Sequence, residues 1–132
     1  MRVLIADGRP KVRFALRILL EQQPNICVTA QVARPQELVI KTQETSPDVL
    51  LLSWDLVGPE TGDLITTLRT HCPDLQIVVL SGRPEARCNA LQAGADAFVS
   101  KTTPPEHLLA AISACSLGFS RVTEHPSEEE KP

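Results

Sequence analysis

The chain has 132 residues, 42% hydrophobic and 22% charged, the size and composition of one ordinary domain built on one core. Thirteen basic against sixteen acidic side chains leave a formal net charge of −3, without the basic excess of a duplex-gripping domain, so nucleic-acid binding by this chain alone is not expected. No apolar run approaches the roughly 20 residues of a membrane helix, and Met1-Arg2 leads straight into a strand-like run, so no span and no signal peptide are expected.

The four cysteines, Cys27, Cys72, Cys88 and Cys115, show no C-x-x-C spacing and are read as isolated buried thiols of a reducing cytoplasm. The aromatics are confined to Phe14, Trp54, Phe98 and Phe119, too few to stack a single-stranded nucleic acid.

Arg2 to Ala6 reads as a first strand, and Asp7-Gly8-Arg9-Pro10 as a turn with Pro at the first position of a helix. In that helix Val12, Ala15, Leu16, Leu19 and Leu20 form one apolar stripe, closed by Pro24. Ile26 to Val32 is a second strand and Pro35 to Thr45 a second helix. Val49 to Leu52 is a continuous apolar run, the pattern of a strand covered on both faces. A loop marked by Gly58, Pro59 and Gly62 precedes a third helix, Leu64 to Thr70, and a fourth strand, Gln76 to Leu80. Pro84 to Ala93 is a fourth helix with Gly94 as a left-handed cap, and Asp96 to Ser100 a fifth strand. Thr103-Pro104-Pro105-Glu106 then opens a fifth helix reaching about Cys115. Residues 1–117 make the domain, and 118–132, ending in the acidic stretch from His125, are read as a flexible tail or linker stub.

Five strands alternating with five helices through short connections imply an α/β fold, a doubly wound five-stranded parallel sheet. Ligands of such folds sit at the carboxyl ends of the strands. That brings Asp7, Gly8, Ser53, Ser81 and Lys101 into one crevice.

These strand ends carry a resemblance to the receiver domain of two-component response regulators, the flavodoxin-like phosphorylation switch. Met1 to Pro10 is similar to the family's opening, Pro47 to Ser53 to its third strand, Val78 to Ser81 to its fourth, and Ala93 to Lys101 to its Gly-Ala-Asp and lysine segment. The likeness covers residues 2 to about 115 and is nearest to receivers that precede helix-turn-helix transcription factors. By that resemblance Asp7 matches the first of two adjacent Mg²⁺-holding acids, Ser81 the phosphoryl-binding hydroxyl, Lys101 the phosphoryl-binding lysine and Phe98 the switch aromatic. Two positions depart from the family: Gly8 stands where the second acid is expected, and Ser53 where the phosphoryl-accepting aspartate is expected.

A hard divalent cation needs several carboxylate oxygens, and only Asp7 remains, so Mg²⁺ binding is expected to be weak or absent. A serine hydroxyl is a weak nucleophile without an adjacent base, so phosphoryl switching at Ser53 is not expected, and no enzymatic activity is assigned. Lys101 is free to pair with Asp7 in place of the metal, while Asp7 alone is equally suited to capping the helix at Pro10 and Ser81 to closing a turn. His71, His107 and His125 have no metal-ligand spacing, and no phosphate-loop motif is present. Trp54 is left open between packing over the crevice and outward contact.

The resulting reading is a degenerate receiver in the cytoplasm that signals by protein contact. Its partner or self-association face, by the same resemblance, is the fourth helix, fifth strand and fifth helix, with Arg83, Arg87, Gln92 and His107 on the rim and Ala90, Leu91, Leu108 and Ile112 in the core. Two alternatives stand beside it. One is a phosphorylation-dependent regulator using Asp55 as a displaced acceptor, against which Asp48 to Ser53 already has the family's five-residue step. The other is the N-terminal regulatory part of a longer DNA-binding transcription regulator.

Overall fold

The computed structural model describes residues 1–56 and 60–116. The loop positions Gly58 and Pro59 and the segment from Leu117 on, with Phe119 and His125, lie outside the described residues. In chain order the elements are β1 (Arg2–Ala6), α1 (Pro10–Glu21), β2 (Cys27–Val32), a 3₁₀ turn (Pro35–Glu37) running into α2 (Leu38–Thr45), β3 (Val49–Ser53), α3 (Thr61–His71), β4 (Gln76–Ser81), α4 (Ala86–Ala93), β5 (Ala97–Ser100) and α5 (Pro105–Ser116). The strands form one parallel sheet in the order β2-β1-β3-β4-β5.

The alternation of side chains along a strand divides the apolar runs between two cores. Leu4, Ala6, Leu50, Leu52, Ile77 and Val79 join Leu38, Ile65, Leu68 and Ala90 of α2, α3 and α4 on one face of the sheet. Val3, Ile5, Val49, Leu51, Val78 and Leu80 meet Leu20 of α1 and Leu108 and Ile112 of α5 on the other. Every residue of β3 is buried, which is why its run is continuously apolar.

α3 begins three residues before the expected Leu64, because the Thr61 hydroxyl donates to Trp54 O at 2.6 Å and seats the first turn. α2 ends on Ser46 in the left-handed region, φ 47°, and α4 on Gly94 at φ 119°, the cap expected there. Below α4, Arg69 binds the Leu75 and Gly94 carbonyls and pairs with the buried Asp96 at 2.8 Å; the same carboxylate accepts the Ile77 amide at 2.8 Å. α3, β4 and the approach to β5 are thereby tied together.

Two expectations need correction. The thiols are not uniformly buried: Cys115 is, but Cys72 is half-buried and Cys27 and Cys88 are exposed, at the start of the edge strand β2 and on the outer side of α4. Of the expected α1 stripe only Leu20 is fully buried; Val12, Leu16 and Leu19 are half-covered and Ala15 is exposed. The cause is that α1 and α5 do not close on each other. An apolar groove of about 500 Å³ runs between them, lined by Val12, Leu16, Leu19, Val99, Pro104 and Leu108.

Candidate functional site

The chain passes from β1 out to β2, then back across to β3 on β1's other side, so the sheet reverses winding between β1 and β3. In open α/β sheets the crevice at that reversal is where ligands bind. Ala6 pairs with Leu52 across it, so Asp7 and Ser53 follow side by side at the carboxyl ends of neighbouring strands. Both are 2% exposed. Lys101 enters from the turn after β5, its amide held by Ser81 O at 2.9 Å.

The Lys101 ammonium reaches Asp7 and Ser53 in the crevice. Its Nζ donates to Asp7 Oδ2 at 3.3 Å and to Ser53 Oγ at 3.2 Å, joining the strand-end residues of β1 and β3. The other Asp7 oxygen, Oδ1, accepts the Arg9 amide at 2.9 Å, with the Arg9 guanidinium at 3.5 Å. Asp7 therefore shapes the turn into α1, while the N-cap itself is Arg9, with no side-chain bond. The Arg13 guanidinium binds the Asp7 carbonyl at 2.7 Å. Each carboxylate oxygen thus has a donor from within the chain.

Ser81 is fully buried at the end of β4, and its Oγ accepts the Arg83 amide at 3.0 Å, the turn role. Asp55 is exposed, two residues past Ser53 in the turn that follows β3. Trp54 packs against the core on the α2, α3 and α4 side, its amide donating to Leu80 O at 2.8 Å, which settles the choice left open by the sequence. Gly8 needs no special backbone: a Cβ there would meet only Ala33 O at 3.6 Å, ordinary contact. A side chain would fit at position 8.

Mg²⁺ asks for a near-octahedral shell of hard oxygens. Among the described residues no three acids, histidines or cysteines converge to hold a metal, and the Asp7 oxygen that faces the crevice is held by an ammonium.

On the face expected to meet partners, Arg83, Gln92 and His107 are exposed, Arg87 and Phe98 are half-buried, and Ala90, Leu108 and Ile112 are core, with Leu91 packed against it. The sequence reading missed a second surface. Among the described residues the exposed large hydrophobics are Phe14 (65%), Ile18 (44%) and Ile40, and the first two lie one turn apart on α1. Their i, i+4 spacing, offset from the main stripe, is the signal that was available. Among the described residues no helix is long and apolar enough to cross a membrane.

Comparison with known proteins shows the family and the fold. The family model "Response regulator receiver domain" matches residues 3–113. A nitrate/nitrite response regulator protein homolog of Haemophilus influenzae is 31% identical over 120 residues, covering 89% of this chain and 58% of that protein. The transcriptional regulatory protein YhcZ of Bacillus subtilis is 35% identical over 113 residues, 83% of this chain and 52% of its own length. The chain therefore spans a little over half the length of such relatives. Among solved structures, a two-component response regulator of the LuxR family from Aurantimonas superposes with a TM-score of 0.81 at 25% identity, covering 93% of this chain and 96% of that one. The isolated receiver domain of RcsB from Salmonella enterica superposes at 0.80 with 28% identity, covering 89% of each chain. The five-stranded parallel sheet, the crevice at its winding reversal and the match over residues 3–113 together place this chain in the response regulator receiver domain family.

Proposed function

We propose that this chain is a pseudo-receiver: a signalling domain that acts through phosphorylation-independent protein contacts. The observation that carries the reading is the Lys101 ammonium bridging Asp7 and Ser53. An internal cation occupies the place where a metal would neutralise acids, and a hydroxyl stands where a carboxylate nucleophile would be needed. Among the described residues the hydrogen-bond partner of the Ser53 hydroxyl is the Lys101 ammonium, a donor and not a general base. Mg²⁺ binding is accordingly weak or absent, and the domain catalyses no reaction.

The signal then passes through surfaces. The face of α4, β5 and α5 offers a polar rim of Arg83, Arg87, Gln92 and His107 to a protein partner or a second copy, and the apolar groove flanks α5 on its other side. The domain works in the cytoplasm without contacting nucleic acid itself. The length of the relatives favours a second statement: the same domain is the regulatory part of a longer transcription regulator whose DNA-binding module lies outside residues 1–132, with the acidic stretch from His125 as linker.

The test uses Trp54 as reporter and a small acyl phosphate as donor. Titration with Mg²⁺ and then beryllofluoride should leave the fluorescence flat, and mass spectrometry should find no phosphoryl adduct. A saturable response with an adduct would overturn the reading, and mapping it would identify Ser53 or the exposed Asp55 as acceptor.

A further inference from the structure

The groove between α1 and α5, about 500 Å³, has the size of a small-molecule site, for which roughly 300–1,000 Å³ is usual. Leu80 and Val99 of the sheet lie beneath it, and Val12, Leu16, Leu19 and Leu108 of the two helices flank it. The charged residues that line it are Lys11 and Lys101, both cations, and among the described residues no acid lines it. The two lysines are not equivalent. The Lys101 ammonium is engaged by Asp7 and Ser53, whereas Lys11 is exposed and has no ion-pair partner among the described residues.

We propose that this groove binds a small amphipathic carboxylate, a linear hydrocarbon chain with one terminal anion, the chain lying along α1 and the carboxylate meeting the Lys11 ammonium. The proposal goes beyond the pseudo-receiver reading and does not depend on it. Val12, Leu16 and Leu19 stand at i, i+4 and i+7 on α1 and are each half-covered. At a rise of about 1.5 Å per residue they make a continuous apolar strip about 10 Å long, with Lys11 at its amino end. A chain laid on that strip removes from water the apolar surface that α5 leaves open. Charge selects the head group: an anion meets the unpaired Lys11, while a cationic amphiphile would meet two ammoniums and no carboxylate in the lining. Lys101 is common to the groove and the crevice, so the bound chain lies beside the residue that bridges Asp7 and Ser53.

Isothermal calorimetry on the full chain, with decanoate below its micelle concentration as the probe, should give saturable binding at one site. Each buried methylene is worth about fourfold in affinity, so octanoate, shorter by two, should bind more than about tenfold more weakly. Decylamine, with a chain of the same length and the opposite charge, should bind several-fold more weakly than decanoate. Lys11→Glu, at an exposed position, should weaken decanoate by about fivefold. Lys41→Glu makes the same charge change on α2, across the sheet from the groove, and should leave the affinity unchanged. No saturable binding of decanoate, no dependence on chain length, equal binding of decylamine, or equal weakening by the two lysine variants would each overturn the proposal. A dimer in sedimentation that decanoate dissociates would also overturn it, because the groove's occupant would then be a second copy.

Discussion

Lys101→Met removes the crevice ammonium and keeps the aliphatic stem, so its effect reports the charge. It leaves a carboxylate that is 2% exposed without the partner of Oδ2, and the Ser53 hydroxyl without its neighbour. Breaking a fully buried ion pair costs about 3–5 kcal/mol. Three features reduce that figure here: the Lys101 side chain is 21% exposed, the contact is 3.3 Å, and Asp7 keeps the Arg9 amide at 2.9 Å. The expected loss is about 1–2 kcal/mol, between the exposed and buried limits. For a domain of this size that lowers the melting temperature by roughly 4–8 °C. Urea unfolding followed by Trp54 gives the same quantity, with an unchanged m-value showing that the unfolded state is not involved. Asp7→Asn alone and the double variant complete the cycle, and the coupling should reach at least about 1 kcal/mol. Single losses that add to within about 0.5 kcal/mol would show that the ammonium and carboxylate do not act as a pair, removing the main support for an internally neutralised crevice.

Arg69→Leu should cost about 3 kcal/mol or more in urea unfolding, because it removes the cation paired with the buried Asp96 carboxylate and the donor to two carbonyls, and a loss below about 1 kcal/mol would contradict this. Gly94→Ala should cost about 1–2 kcal/mol through backbone strain alone, since φ is 119° while the new Cβ would meet Ile65 Cγ2 only at 3.6 Å; a neutral thermal shift would refute it. Gly8→Asp combined with Ser53→Asp should restore a saturable Mg²⁺ response in Trp54 fluorescence, because position 8 has room for the side chain. No response would show that the crevice has diverged beyond these two positions.

The central strands were the most legible elements. Val49 to Leu52 and Ile77 to Leu80 are buried from both sides, so their runs have no polar interruption and can be little else. Strand-end positions follow from the fold, and that is enough to bring Asp7, Ser53 and Lys101 into one crevice. What the sequence left open was the hydrogen-bond economy. Ser81 serving the Arg83 amide, Trp54 turning into the core and Thr61 starting α3 early each depend on a partner distant in sequence or on loop geometry that periodicity does not encode. The α1 stripe misled for a related reason: amphipathicity states which face is apolar but not whether a neighbouring helix covers it, and α5 stands off from α1.

Charge balance links the two substituted positions. Acids at positions 7, 8 and 53 would set like charges together at one strand end, and with only Lys101 opposite them the excess would need a bound cation. With Gly8 and Ser53 in place, the single carboxylate of Asp7 faces the Lys101 ammonium at 3.3 Å and the Arg9 guanidinium at 3.5 Å. A cation entering this crevice would have to displace Lys101 from Asp7. A phosphoryl group would meet a lysine already engaged at 3.3 Å and an acceptor hydroxyl already hydrogen-bonded at 3.2 Å. The same pair that makes the crevice self-sufficient also couples the β5–α5 turn to β1 and β3.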